Sequence, residues 1–257
     1  MNDRQISLKV AKDVFLIKII WTLAFLGIVL IVNIAKVGYA YFQGNETEGF
    51  FNTSFVASNF FMFIIGLLAI EFLPYFVGIG VTRKDYFIGT SIQTFGLALG
   101  IAIITSFIFL VEKFILKLID LPYKTQNINE LDLDGNILGD TIQMIILSPY
   151  VDPHENLMLA TFILFTNVLI LYVLGWMISS AFYRHGTVYG LVSVLIAIII
   201  KMLKDNLLRV ALDLPTIGWL KDIPDMPAPV AFILIYVIII LIFYAIRLNT
   251  KRVTVKL

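Results

Sequence analysis

Cysteine is absent from this chain of 257 residues, histidine occurs twice, and Asp, Glu, Lys and Arg together supply only 14% of it. Without cysteine there is no disulfide, no thiolate metal site and no cysteine nucleophile. Soluble domains carry about 25% charged residues, so a soluble fold of this length would have too little polar material to cover its surface. The net charge of +1 gives no electrostatic case for nucleic acid as a partner. The sequence also lacks a GxxxxGK(S/T) phosphate loop, an HExxH helix and a GxSxG elbow.

What is present is apolar: 60% of residues are hydrophobic and the mean hydropathy is +0.93. A helix crossing the ~30 Å hydrocarbon layer needs roughly 20 apolar residues. Six stretches answer to that: Val14–Ala35, Phe55–Ile79, Phe87–Val111, Leu157–Ser180, Gly186–Leu203 and Pro229–Leu248. The expected fold is all-α, a polytopic membrane helix bundle forming a single transmembrane domain over residues 1–257. The first apolar run is too long for a signal-peptide core and lacks a small-residue cleavage site after it, so it reads as a retained span.

Basic residues orient such a bundle. With both termini cytoplasmic, the inner segments hold Arg4, Lys9, Lys12, Arg83, Lys84, Arg184, Arg247, Lys251, Arg252 and Lys256 against Asp3, Asp13 and Asp85. The outer side holds most of the acids, with Lys201 and Lys204 at its border. In that topology His154 and His185 lie at opposite faces and cannot share a metal. The long acidic segment Glu112–Asn156 is external, with eight acids against three lysines. Its first residues alternate apolar and charged faces, which fits either a helix lying on the membrane surface or an extension of the third span. Glu130 to Asn136 echoes the start of a calcium loop, but Thr141 stands where a bidentate Glu is required; a solvated acidic turn is the expectation. The loop around Pro215, Pro224 and Pro227 should be irregular.

Polar residues inside spans are the candidates for function or packing. Glu71, three residues before Pro74, should pair with Lys18 or Arg83, belong to a translocation path together with Gln93, Asn33 and Asn167, or act as a protonation switch. Asn33 and Asn167 are also expected as interhelical hydrogen-bond partners. Gly89, Gly96 and Gly100 in span three, and Gly186 and Gly190 in span five, make small-residue stripes suited to close helix packing. Apart from the structural pairing of Glu71, the spans offer no pair of ionisable groups suited to catalysis, so an intramembrane enzyme is not expected.

Between spans two and three, Gly78 and Gly80 release the chain after Pro74. Thr82 can then cap a short helix, with Asp85 in its first turn. The segment Gly80-Val81-Thr82-Arg83-Lys84-Asp85-Tyr86-Phe87-Ile88-Gly89 resembles the cytoplasmic loop of six-span permease subunits of ATP-binding-cassette exporters. The likeness is to the small class beside bacterial peptide-resistance and antimicrobial-peptide export ATPases. There a Gly-(Val/Ser)-(Thr/Ser)-Arg-(Lys/Arg) segment joins spans two and three. The resemblance implies that Gly80, Val81, Thr82, Arg83, Lys84, Asp85, Tyr86 and Phe87 form or adjoin the coupling helix that meets a separate cytoplasmic ATPase subunit. It implies an interfacial elbow helix over the first dozen residues, and a second permease subunit, identical or paralogous, in the cytoplasmic membrane of a bacterium. Membrane lipids would surround the complex. ATP and Mg would bind in the partner, with no cofactor in this chain. The function expected is export of hydrophobic or amphipathic peptides or lipid-like toxins. The alternatives are a non-transporting sensor or anchor for peptides, and a secondary carrier. The long loop between spans three and four departs from the commonest exporter pattern, whose large external element lies between spans five and six.

Overall fold

A computed structural model describes residues 3–44, 46–120, 122, 148–217, 223–224 and 226–251. Among them the chain is all-helical, and six helical stretches are long and apolar enough to cross a membrane. The helices are α1 (Asp3–Gln43), α2 (Phe50–Leu67), α3 (Phe72–Gly78), α4 (Arg83–Leu118), α5 (Leu157–His185), α6 (Thr187–Ala211) and α7 (Ala228–Lys251). A 3-10 segment, Leu68–Glu71, joins α2 to α3, so these two and the segment make one broken span.

The helices overrun the apolar stretches at most ends. α1 is continuous from Asp3, so no separate elbow helix precedes the first span. Nothing in its sequence interrupts it: Ser7, Val10, Val14, Lys18, Thr22, Leu26, Val29 and Asn33 recur at three or four residues and are all buried. That stripe packs on α4. Gly44, at φ +67, ends the helix. α4 runs unbroken to Leu118, so residues 111–118 extend the third span and do not form a surface helix. Of the long acidic loop, Glu130 to Asn136 and Thr141 lie outside the described residues.

The break in the second span has a local cause. Pro74 has no N–H to give the turn before it, and the preceding residues tighten into 3-10 geometry. One carbonyl at the break finds a partner across the bundle, where the Tyr86 hydroxyl donates to Ala69 O. Irregular backbone at membrane depth is tolerated where protein satisfies it in this way.

α5 is the hub and the most buried helix, packing on α2, α4, α6 and α7. Its crossing with α2 is close, with a glycine on each helix at the contact. A Cβ on Gly66 would lie 2.1 Å from Tyr172 O, and one on Gly175 would lie 2.3 Å from Phe63 O. These two glycines, lone in their apolar runs, set the interhelical distance. The expected stripes fare unevenly. Gly89 meets Ser7 O and Val10, Gly190 meets the Phe182 ring, and Gly96 lies in ordinary contact with Phe15. Gly100 has nothing within 4 Å and is not a packing residue here. Gly186 also stands in open space; its φ of +81 shows that it ends α5 and starts α6, a turn position and not a contact.

Candidate functional site

Several polar groups interrupt the apolar interior among the described residues. The first lies at the end of the bundle where Ser7, the α3–α4 turn and Arg247 meet. Thr82 caps α4 by accepting from the Asp85 N–H at 3.1 Å. The Asp85 carboxylate accepts from the Thr82 hydroxyl (2.6 Å) and the Ser7 hydroxyl (2.7 Å). Arg247 of α7 donates to the Arg83 carbonyl at 3.3 Å and stacks over Phe87 at 5.7 Å. Thr82 therefore caps the third span itself, and no separate coupling helix forms over Gly80 to Phe87. Gly80 at φ +89 makes the turn. Val81 packs inward, Tyr86 is buried, and Lys84 stays exposed.

The second group is in the middle. Lys18 donates to the Tyr172 hydroxyl, which in turn donates to Gln93 Oε1 at 3.2 Å. The ammonium also sits over the Tyr172 ring at 4.7 Å and the Phe72 ring at 5.6 Å. Glu71 is not its partner: it is exposed on the outside of the bundle and forms no ion pair with Lys18 or Arg83 among the described residues. The 3-10 twist places Ala69 and Ile70 inward and Glu71 outward. A pairing argued from depth alone misses such a rotation.

The third group lies toward the other end, on α6. Lys201 pairs with Asp205 Oδ2 at 2.6 Å, one turn apart, and Lys204 pairs with the other carboxylate oxygen. Lys204 also donates to Asn167 Oδ1 at 2.5 Å. Arg209 lies within electrostatic reach of Asp205 and donates to Pro215 O at 3.0 Å. All are buried. The apolar run of the fifth span ends at Leu203, but the helix continues eight residues further, to Ala211, and brings these ionisable groups inside the bundle. Charge pairing helps to hold them there, because a carboxylate between two ammoniums offsets part of their desolvation. The i, i+4 spacing of Lys201 and Asp205 was the available signal.

Near the same end, Asn33 donates to Glu112 Oε1 at 2.6 Å, and the Phe50 N–H donates to Glu112 Oε2 at 2.7 Å. Glu112 thus satisfies the first turn of α2, whose N-cap Gly49 offers no side chain. It is a structural carboxylate and no member of the solvated acidic loop. Glu112→Ala should expose an orphan N–H and lower stability by about 1–3 kcal/mol. Thermal unfolding of the purified protein measures this, and an unchanged midpoint refutes the role. His154, beyond the spans, packs edge-on against Phe109 at 4.9 Å. Burial holds its imidazole below the usual value, against the raising effect of Asp152. His185 lies at the opposite end of α5, against Tyr189.

Beside the α6 cluster is a groove. α2 and α6 each pack along α5 without a packed interface between them. The space left over α5 is about 420 Å³. Its walls include Val56, Phe60, Phe63, Leu174 and Ala197, with Asn59 and Lys201 as the polar contributors. This volume lies in the range of sites that hold small organic ligands, about 300–1,000 Å³. No sequence pattern marks it, because it is formed by three helices that are distant in the chain.

Comparison of the chain with protein-family models, with curated proteins and with solved structures finds no match.

Proposed function

We propose that this chain is the transmembrane permease subunit of an ATP-driven exporter, with both termini cytoplasmic and a separate ATPase docking at the turn between α3 and α4. The reading rests on one observation above the rest. The exposed turn carrying Lys84 is fastened to three spans: by Asp85 to α1, by helix continuity to α4, and through the Arg83 carbonyl to α7. A force applied there reaches all three at once, which suits an input site for movement. Basic-residue placement supports a cytoplasmic location for that end. Hydrophobic or amphipathic peptides and lipid-like toxins suit an apolar groove open along the helices. Two such subunits per complex, identical or paralogous, follow from the family resemblance.

The test is Arg83→Glu together with Lys84→Glu. Insertion should survive, because the other basic residues of that face remain. Association with the ATPase should weaken, with a salt dependence that marks a charged rim, or ATP turnover should no longer drive export. Co-purification and export assays read both. Normal assembly with normal transport would show the turn to be an orientation signal only.

A second reading, an ion-coupled carrier, is favoured by the buried Lys18 and the Lys201–Asp205–Lys204 group, since intramembrane charges commonly mark ion pathways. Purified chain in liposomes, without any ATPase, separates the two. Uptake or efflux driven by an imposed proton or sodium gradient would support the carrier and sink the exporter.

A further inference from the structure

The groove between α2 and α6 holds a polar group that the protein leaves unmet. Its lining runs from Val56 to Phe63 on α2, from Leu171 to Ile178 on α5 and from Val194 to Lys201 on α6. Each of these stretches covers two helical turns, roughly 10 Å of slot at 1.5 Å per residue. Asn59 stands in the α2 wall, between the apolar Val56 and Phe63. It is 4% exposed, and its Oδ1 has no hydrogen-bond partner among the described residues. Buried polar groups are ordinarily hydrogen-bonded. Neither the phenyl rings beside it nor lipid chains can supply a donor, and the bilayer core holds no water to do so. A ligand in the groove can.

Depth and the chemistry of the amide narrow the class of that ligand. Asn59 is nine residues from Phe50, the first residue of α2, or roughly 13 Å along the helix. A charged headgroup carried to this depth would be stripped of its hydration, whereas an uncharged one loses far less. The oxygen and nitrogen of a side-chain amide exchange places when the group turns over. The complement that fits either orientation both donates and accepts, and a hydroxyl does both. Lys201, at the edge of the slot, is held by Asp205 at 2.6 Å and has no part in this site. The rest of the ligand must be hydrocarbon, because the other lining side chains are apolar.

We propose that this groove binds a neutral lipid alcohol, with its hydrocarbon lying on α5 between α2 and α6 and its hydroxyl on the Asn59 amide. The site stands on the groove and its unmet amide, and it holds whether or not the chain is an exporter. Binding is non-covalent and needs no partner protein.

The test uses the full chain purified in neutral detergent. The probe is a long-chain primary alcohol carrying a diazirine near its methyl end. Two matched probes serve as controls: the hydrocarbon without the hydroxyl, and the fatty acid held ionised at alkaline pH. The alcohol should label peptides of α2, α5 and α6 and be displaced by unlabelled alcohol, with both controls labelling more weakly. Asn59→Leu keeps the size of the side chain and removes the amide. It should weaken the alcohol by about fivefold, the worth of a hydrogen bond, and leave the hydrocarbon unchanged. Its thermal midpoint should not fall, because no hydrogen bond within the protein is lost. Ala57→Phe, at a half-buried position of the same wall, should block all three probes. Four results would overturn the proposal. They are equal labelling by alcohol and hydrocarbon, stronger labelling by the ionised acid, unchanged alcohol labelling of Asn59→Leu, and a marked fall in that variant's midpoint, which would make the amide a part of the fold.

Discussion

Replacing Asp205 with alanine is expected to lower the stability of this protein by about 3–5 kcal/mol, the effect of leaving buried charge without its partner. Two ammoniums, those of Lys201 and Lys204, would lose their common carboxylate in a site where neither has appreciable solvent exposure. Asp205→Asn should be nearly as harmful, because it keeps the shape and removes the charge. Lys18 supplies the contrast. Its partners are a hydroxyl and two rings, so Lys18→Met orphans no charge and removes a buried amine. That variant should be neutral or mildly stabilising. Thermal unfolding in detergent, with folded yield as a second readout, compares the three. If Asp205→Ala unfolds at the temperature of the parent, the α6 cluster is hydrated and its charges do not depend on one another for burial.

A single methyl at Gly175 should be the most damaging change among the apolar residues. The new Cβ would stand 2.3 Å from Phe63 O and 2.9 Å from Leu67 N, both backbone atoms that no rotamer change can move aside. α2 and α5 would have to separate, and the 3-10 segment that follows α2 would lose its seat on α5. We expect Gly175→Ala to reach or exceed the upper end of the range of about 1–3 kcal/mol typical of overpacked cores. Gly66→Ala, whose Cβ would lie 2.1 Å from Tyr172 O, should behave alike. Gly100→Ala should go the other way. It meets nothing, and removing a helical glycine stabilises by about 0.5–1 kcal/mol. Equal midpoints for Gly175→Ala and Gly100→Ala would refute the close crossing.

The contrast between these glycines shows where sequence reading succeeds. Spans are legible because burial in lipid asks the same of every helix, a long apolar run, and all six stretches are helical in the structure. Helix ends are less legible. The charges of Lys204, Asp205 and Arg209 read as an exit from the membrane, yet they are buried against α5 and the segment after α6. Pairwise contact is less legible still. Gly89-Gly96-Gly100 forms a regular stripe of which the last member touches nothing, whereas Gly66 and Gly175 belong to no stripe and let α2 and α5 approach backbone to backbone. Spacing records which residues share a helix face, but only the assembled bundle decides what that face meets. Thr82 and Asp85 were readable because a helix cap is local, fixed by three residues of chain.

α1 and α4 run parallel and are bolted at both ends. The Ser7–Asp85 bond joins residues 78 apart in sequence, and the Asn33–Glu112 bond joins residues 79 apart. The register between the two helices is therefore the same, to one residue, across some 26 residues, or about 40 Å of rod. Sliding one helix past the other by a turn would break both bolts together, and twisting one alone would strip the buried stripe between them. The pair behaves as a single stiff strut from one side of the bundle to the other. Any change of shape must be taken up elsewhere, and among the described residues the 3-10 joint at Leu68–Glu71 interrupts the α-helical ladder of a span. A push at the Lys84 turn would then tilt the strut as a unit and flex the second span at its joint, with the groove wall formed by α2 moving as the far arm of the lever.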